Sequence, residues 1–351
     1  MTHLQMELSG HRALRAVEAE TPRPGPGHVL LAVEAASLCP TDVKKWDDAA
    51  LAERLGGRGL VLGHEFAGTV VETSDGDEAL LGMRAAVDPV LRCGACRACT
   101  TGRPGLCTSL LGIGAAAGDP VACAGLAATT GITGGFSERA IVPAANLIPI
   151  PAAVGFAAAS LVEPLADVVC SVEAAGLRAG ERAAVIGLGA MGLLHLDVLA
   201  DRGVQAVGVD VRDDRLAQAS AHGAPGVTPE QLDEVDVVFV VAGGAGHVPA
   251  ALRGLEALAP GGRVVLFSSA SAGRTAPIDT NRLHYRRQRI VGVVGFERHH
   301  AAEAVSLLER GAVAEEAIRT PSVALAELSD AFEAVGEPGA LKPAIRIGAA
   351  A

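Results

Sequence analysis

Three groups of residues in this 351-residue chain have types and spacings that could do chemistry. Cys93, Cys96, Cys99 and Cys107 read C-x2-C-x2-C-x7-C. Four thiolates this close can wrap one tetrahedral Zn²⁺ at Zn–S distances of about 2.3 Å. Gly94, Gly102 and Gly105 give the intervening backbone the freedom to turn around an ion. Two disulfides would use the same residues, but no sign of secretion accompanies them, so a metal is the better reading. Second, Cys39 with Thr41 and Asp42 close behind it, and His64-Glu65 further on, offer a thiolate, an imidazole and a carboxylate. A catalytic zinc takes three protein ligands and keeps one position open. Taken singly, these residues have plain roles as a small buried Cys, a surface His and a solvated Glu. Third, Gly187-Leu188-Gly189-Ala190-Met191-Gly192 is a G-x-G-x-x-G between a strand-like AAVI and a helix-like run. In that context Gly187 allows the turn and Gly189 lets a pyrophosphate approach the backbone. Gly192 permits close helix–strand packing. Asp210, at the end of the next strand, is placed to bind a ribose 2′-hydroxyl and repel a 2′-phosphate. This favours NAD over NADP, although Arg212 and Arg215 lie where a 2′-phosphate would be met.

These groups need elements to position them. The first 150 residues are rich in Gly and Pro, with short β-like runs at 28–33, 65–72 and 85–90, as in an irregular β domain. Residues 112–135 are small and read as a loop, either a connector or a lining for a substrate site. From Ala152 the chain becomes alanine-rich and helical in pattern. Strand and helix then alternate: strands at 182–186, 206–210, 235–242 and 263–267, helices at 190–202 and 212–222. Continuous Val/Ile/Leu runs in such alternation indicate a parallel sheet covered on both faces. Helical stretches at 299–310 and 324–335 and a strand at 344–347 follow.

Half of the residues are hydrophobic and the net charge is −11. The length indicates two domains. The acidic balance without a basic patch argues against nucleic acid and anionic membranes as partners. The N-terminal segment has no apolar h-region, and no apolar run approaches a membrane span of about 18 residues. A cytoplasmic protein is expected. Lysine occurs only at Lys44, Lys45 and Lys342, while arginine abounds.

In order and spacing, CPTD at 39–42, GHE at 63–65, the four-cysteine lobe at 93–107, GGFSE at 134–138, VEPLAD at 162–167, GLGAMG at 187–192 and ALKPAI at 340–345 resemble the zinc-dependent medium-chain dehydrogenase/reductase family. The pattern is nearest its sorbitol/polyol and threonine dehydrogenase branch. The resemblance covers essentially the whole chain. It implies an α/β protein with a GroES-like catalytic domain (1–150, including the zinc lobe 93–107), a doubly wound Rossmann domain (151–295) and a C-terminal segment returning to the catalytic domain (296–351). It implies two zinc ions per chain, one catalytic and one structural. Cys39 and His64 match ligands of the catalytic zinc, and Glu65 and Glu163 are both candidates for the carboxylate. Asp42 would orient His64, and Thr41 would relay a proton. Pro40 departs from a common glycine and restricts Cys39. Lys44 stands where one branch has a relay histidine. Cys170 reads as a small hydrophobe.

The implied reaction is zinc-assisted hydride transfer from an alcohol to NAD(P). The nicotinamide would lie in an interdomain cleft against backbone near Ala242, Ser268 and Val293–Val294. A secondary alcohol of polyol, cyclitol or aminocyclitol type is the expected substrate. An L-threonine-like 3-hydroxy amino acid is the alternative, for which Arg92, Arg97 or Arg298 would have to anchor the carboxylate. A non-catalytic zinc- and NAD-binding sensor or subunit, and a zinc-free quinone or enoyl reductase, are readings of other classes. Family resemblance also suggests a homodimer or homotetramer, through an edge strand near 290–294.

Overall fold

The computed structural model describes residues 1–348 apart from Asp75 and Pro338. The chain forms two compact units, one comprising Met1–Glu163 and the chain from Glu315 onward, the other Pro164–Ala314.

The first unit is built on a seven-stranded sheet whose centre is the strand His28–Ser37, buried along almost its whole length. Apolar residues on both faces of this strand require cover on both sides. It pairs antiparallel with Glu65–Thr73, with Arg139–Pro143 and, at its far end, with Ala344–Arg346. Register matters here. Ser37 stands opposite Glu65 on one side and opposite Ala344 on the other. Leu8, Leu31, Phe66, Phe136, Phe332 and Ile345 fill the core.

Two parts of this unit differ from the expected pattern. Thr2–Gly10 and Ala13–Glu20 form an antiparallel pair. Its second strand is largely exposed and alternates charge with small residues, so it lacks an apolar run. Residues 112–135, expected as a loop, contain the helix Pro120–Thr130. Asp119 caps it by accepting from Val121 N–H, Pro120 takes the first turn, and Gly131 ends it in the left-handed region.

The second unit is a six-stranded, all-parallel sheet. Its order is Gly226–Val227, Gln205–Val209, Arg182–Ile186, Val235–Val240, Leu258–Leu266 and Arg289–Gly292. Counted in sequence this is 3-2-1-4-5-6, the doubly wound order. Most residues of the central strands Arg182–Ile186 and Val235–Val240 are buried, which explains the apolar runs AAVI at 183–186 and VVFV at 237–240.

Arg263 is 1% exposed within this unit. Its guanidinium donates to both carboxylate oxygens of Glu181 at 2.8 and 2.6 Å and to the carbonyls of Ala175 and Gly176. The fork thus closes the C-terminal end of the helix Val162–Ala175. Replacing Arg263 with Met strands Glu181 and two carbonyls. We expect a loss of about 3 kcal/mol in urea unfolding, and an unchanged midpoint would refute the assigned role.

Candidate active site

Cys39 is the N-cap of the short helix Pro40–Trp46. Pro40 at the first helical position leaves Cys39 extended (φ −93°, ψ 144°), as a residue before proline should be. Cys39 Sγ accepts from Thr41 N–H at 3.5 Å, and Cys39 N–H donates to Asp42 Oδ2 at 3.2 Å. Asp42, fully buried, also accepts from Gly63 N–H at 3.4 Å. Its Oδ1 lies 3.3 Å from His64 Nδ1, an ion-pair contact and not an aligned hydrogen bond. Burial raises the Asp42 carboxyl, but the His64 ring beside it prevails and holds the carboxyl below its ordinary value. For His64 burial works downward, and Asp42 and Cys39 prevail to raise it well above. With Nδ1 turned to Asp42, Nε2 is the nitrogen left for a metal.

Cys39, His64 and Glu65 each offer a ligand atom within 4.8 Å of the others. A thiolate, an imidazole and a carboxylate at that separation suit zinc. Glu65 is 1% exposed. Its carboxylate accepts from Lys342 Nζ at 2.7 and 2.6 Å and from Ser37 Oγ. The strand register explains the arrangement, because Ser37 faces Glu65 directly and Lys342 lies two residues before Ala344. Neither Ser37 nor Lys342 stood out as a site residue, although Lys342 falls in ALKPAI and is one of three lysines. Burial lowers the Lys342 ammonium, and Glu65 and Cys39 outweigh it, with a further contribution from Glu163. Glu163 is half-buried in the first turn of Val162–Ala175 and does not join the Cys39, His64, Glu65 set. Lys44 is exposed and Lys45, beside it, is half-buried.

The four-cysteine lobe is closed on itself. All four ligand atoms lie within 4.8 Å of one another, with Sγ–Sγ distances of 3.6 Å (Cys96–Cys99) and 3.5 Å (Cys93–Cys107). A tetrahedral ZnS₄ centre has S–S separations of about 3.8 Å. Backbone N–H groups of Cys99 and Thr108 draw the Cys96 thiol down to about 6, and those of Cys93 and Ser109 lower Cys107. Burial and the neighbouring thiols push Cys99 up to about 12, a proton that a coordinated cation would displace. Cys170 is half-buried, and burial raises its thiol to about 11.

Glu173, His299 and His300 also converge. His300 Nδ1 accepts from Glu297 N–H at 2.9 Å, so the proton of the neutral ring sits on Nε2, the atom facing Glu173. That nitrogen is a donor, and the group is a helix cap with a carboxylate partner.

In the second unit, Gly187 takes φ +104° against Ala242, whose backbone N would lie 2.5 Å from an added Cβ. A Cβ on Gly192 would stand 1.9 Å from the Gly187 carbonyl. At Gly189 it meets nothing within 4 Å, leaving open space before the N-terminus of Ala190–Asp201, where a dinucleotide phosphate fits. Leu188 N–H donates to Asp210 Oδ2 at 2.8 Å, which fixes the acid beside the turn. Ser268 Oγ donates to the Ala242 carbonyl at 2.8 Å, and Val293 N–H to that of Leu266 at 3.2 Å. Neighbouring strand ends therefore carry Gly187, Ala242, Ser268 and Val293, while Val294 is 84% exposed. Arg212 is clamped by Asp214 at 2.9 and 2.6 Å, and Arg215 is buried on the next helix.

Residues 25–152 match the alcohol dehydrogenase GroES-like domain, and residues 190–310 match the zinc-binding dehydrogenase domain. The chain is 30% identical to L-threonine 3-dehydrogenase of Bacillus velezensis, over 93% of this chain and 94% of that one. It is 31% identical to D-altritol 5-dehydrogenase of Agrobacterium fabrum, over 84% and 85%. A solved structure from Sinorhizobium meliloti 1021 with NADP bound superposes with a TM-score of 0.84 at 25% identity, over 99% of each chain.

The three glycines separate packing from ligand binding. Gly189→Ala is expected to fold with an unchanged Tm and to weaken dinucleotide binding about tenfold or more by fluorescence titration. Gly192→Ala should instead lower the Tm, because the new methyl meets a carbonyl. Equal behaviour of the two variants would contradict the assignment.

Proposed function

The chain belongs to the zinc-dependent medium-chain dehydrogenase family, NAD(P)-linked oxidoreductases of alcohols, and from that premise we propose that it oxidises a secondary alcohol of polyol, cyclitol or aminocyclitol type to a ketone. The observation that carries this reading is the convergence of Cys39, His64 and Glu65 on one point inside the first unit. When bound there, zinc supplies a Lewis acid that lowers the hydroxyl pKa, and the nicotinamide supplies the hydride acceptor. Asp42 keeps His64 oriented, and Thr41 hands the hydroxyl proton outward. Lys342 and Ser37 hold Glu65 while the site is idle. This makes Glu65 an exchangeable carboxylate, with Glu163 as the second acid in reach of the same lysine.

We assign a second, structural zinc to Cys93, Cys96, Cys99 and Cys107, since four thiolates leave no position for substrate. NAD is preferred to NADP because Asp210 is fixed at the end of its strand and Arg212 is held by Asp214. An L-threonine-type 3-hydroxy amino acid is the second reading, favoured by the 30% identity to L-threonine 3-dehydrogenase. A homodimer or homotetramer formed through the edge strand Arg289–Gly292 accords with that strand's exposure.

A screen of polyols, cyclitols and 3-hydroxy amino acids with NAD and with NADP, read by absorbance of the reduced cofactor, tests the reading. No turnover with any of them would leave a non-catalytic zinc- and NAD-binding protein. Cys39→Ala should lose one zinc by elemental analysis together with all activity, at an unchanged far-UV spectrum, and retained turnover would sink the site. Cys96→Ser should also lose one zinc, but with a Tm lower by several degrees, about 2–4 kcal/mol of stability. An unchanged Tm there would show that the lobe is not held by metal.

A further inference from the structure

We propose that Lys45 anchors an anionic group of the substrate, so that the alcohol oxidised beside Cys39, His64 and Glu65 carries a carboxylate or phosphate a few carbons from its reacting hydroxyl. The inference rests on the dehydrogenase reading above and narrows its substrate class.

The chain has three lysines in all. Lys44 points to solvent, and Lys342 is buried and fully engaged by Glu65. Lys45 fits neither description. It is half-buried on the helix Pro40–Trp46, whose N-cap is the metal-ligand candidate Cys39. Helical side chains lean toward the N-terminus, and Lys45 does so fully, with Nζ donating to the Thr41 carbonyl at 3.3 Å, one turn back. Its charge therefore lies on the turn of the helix that follows Cys39 and Thr41.

An ammonium has three donors, and the Thr41 carbonyl takes one. Among the described residues no carboxylate lies within ion-pair distance of Nζ. Asp42 is committed to Cys39 N–H, Gly63 N–H and His64, Asp47 to His11 and Arg12, and Asp48 caps the next helix through Leu51 N–H. Burial lowers the Lys45 ammonium, partly offset by Asp42, Cys39 and Cys123. A cation held partly out of water without a charged partner gains from an anionic ligand. A neutral polyol would leave it unpaired. Lysine presents a compact point charge that accepts a carboxylate or a phosphate alike. Of the arginines in this unit named for such a role, Arg92 is held by Asp88 at 2.5 Å and Arg97 is exposed.

Two matched pairs test this: 3-hydroxybutyrate against 1,3-butanediol, and sorbitol 6-phosphate against sorbitol. The unmodified holoenzyme should prefer at least one anionic member by about tenfold in kcat/KM. Whichever pair responds identifies carboxylate or phosphate. Lys45→Met should reduce kcat/KM for that anion about 30-fold, mainly through KM, and leave its neutral partner within about threefold. Lys45→Arg should recover part of the loss. Calorimetric titration of the anion into protein without NAD should show a Kd weakened about tenfold or more in Lys45→Met. Equal use of both members by the unmodified enzyme, or an equal loss on both in Lys45→Met, overturns the proposal while the dehydrogenase reading stands. If no secondary alcohol is turned over, that reading fails, and the calorimetric arm alone decides Lys45.

Discussion

The buried pair of Glu65 and Lys342 is the constraint on which the first unit depends. Both side chains are almost fully removed from water, and they come from positions 277 residues apart. Taking two charges out of water costs several kcal/mol each, and only close geometry with further hydrogen bonds offsets it. Ser37 adds one such bond. The central strand must therefore pair with Glu65 on one side and with the last strand on the other, in a single register. A slip of one residue would turn Glu65 to the opposite face of the sheet. The same register sets the His64 ring beside Asp42, so the metal-ligand candidates and the sheet are specified together.

The two units solve the problem of buried charge differently. In the second, Arg263 uses a planar fork to bind a carboxylate and two carbonyls at once, which suits a fixed structural joint. In the first, lysines stand near the candidate metal ligands, where a point charge on a flexible stem can release one partner and take another. A chain that otherwise favours arginine so heavily keeps two of its three lysines there. The cysteine lobe manages charge a third way, by backbone N–H groups aimed at sulfur.

What was legible in the sequence follows from the range of the interactions concerned. The glycine fingerprint was readable because its constraints are local: a positive φ at Gly187 and a carbonyl too close to Gly192 for any Cβ. The central strands of the parallel sheet were readable because they are buried on both faces. The cysteine lobe and the grouping of Cys39, His64 and Glu65 were readable through ligand chemistry and the family pattern. The hairpin Thr2–Gly10/Ala13–Glu20 was not, since its exposed strand has no apolar alternation. The helix Pro120–Thr130 was masked by uniformly small residues, although Asp119-Pro120 and Gly131 were cap signals within it. Lys342 and Ser37 escaped because their role arises from pairing between distant strands, which no local spacing records. Lys45 was overshadowed by Lys44, and only the direction of the helix tells the two apart.

The return of the chain to the first unit has a consequence for biosynthesis. During translation Cys39, His64 and Glu65 leave the ribosome well before Lys342, with the whole second unit made in between. Until the last strand arrives, the Glu65 carboxylate lacks its counter-cation and the central strand an edge partner. The nascent first unit therefore waits half-built while the parallel sheet, continuous in sequence, can fold ahead of it. Order of synthesis and order of completion are reversed: the unit that begins the chain is the last to close.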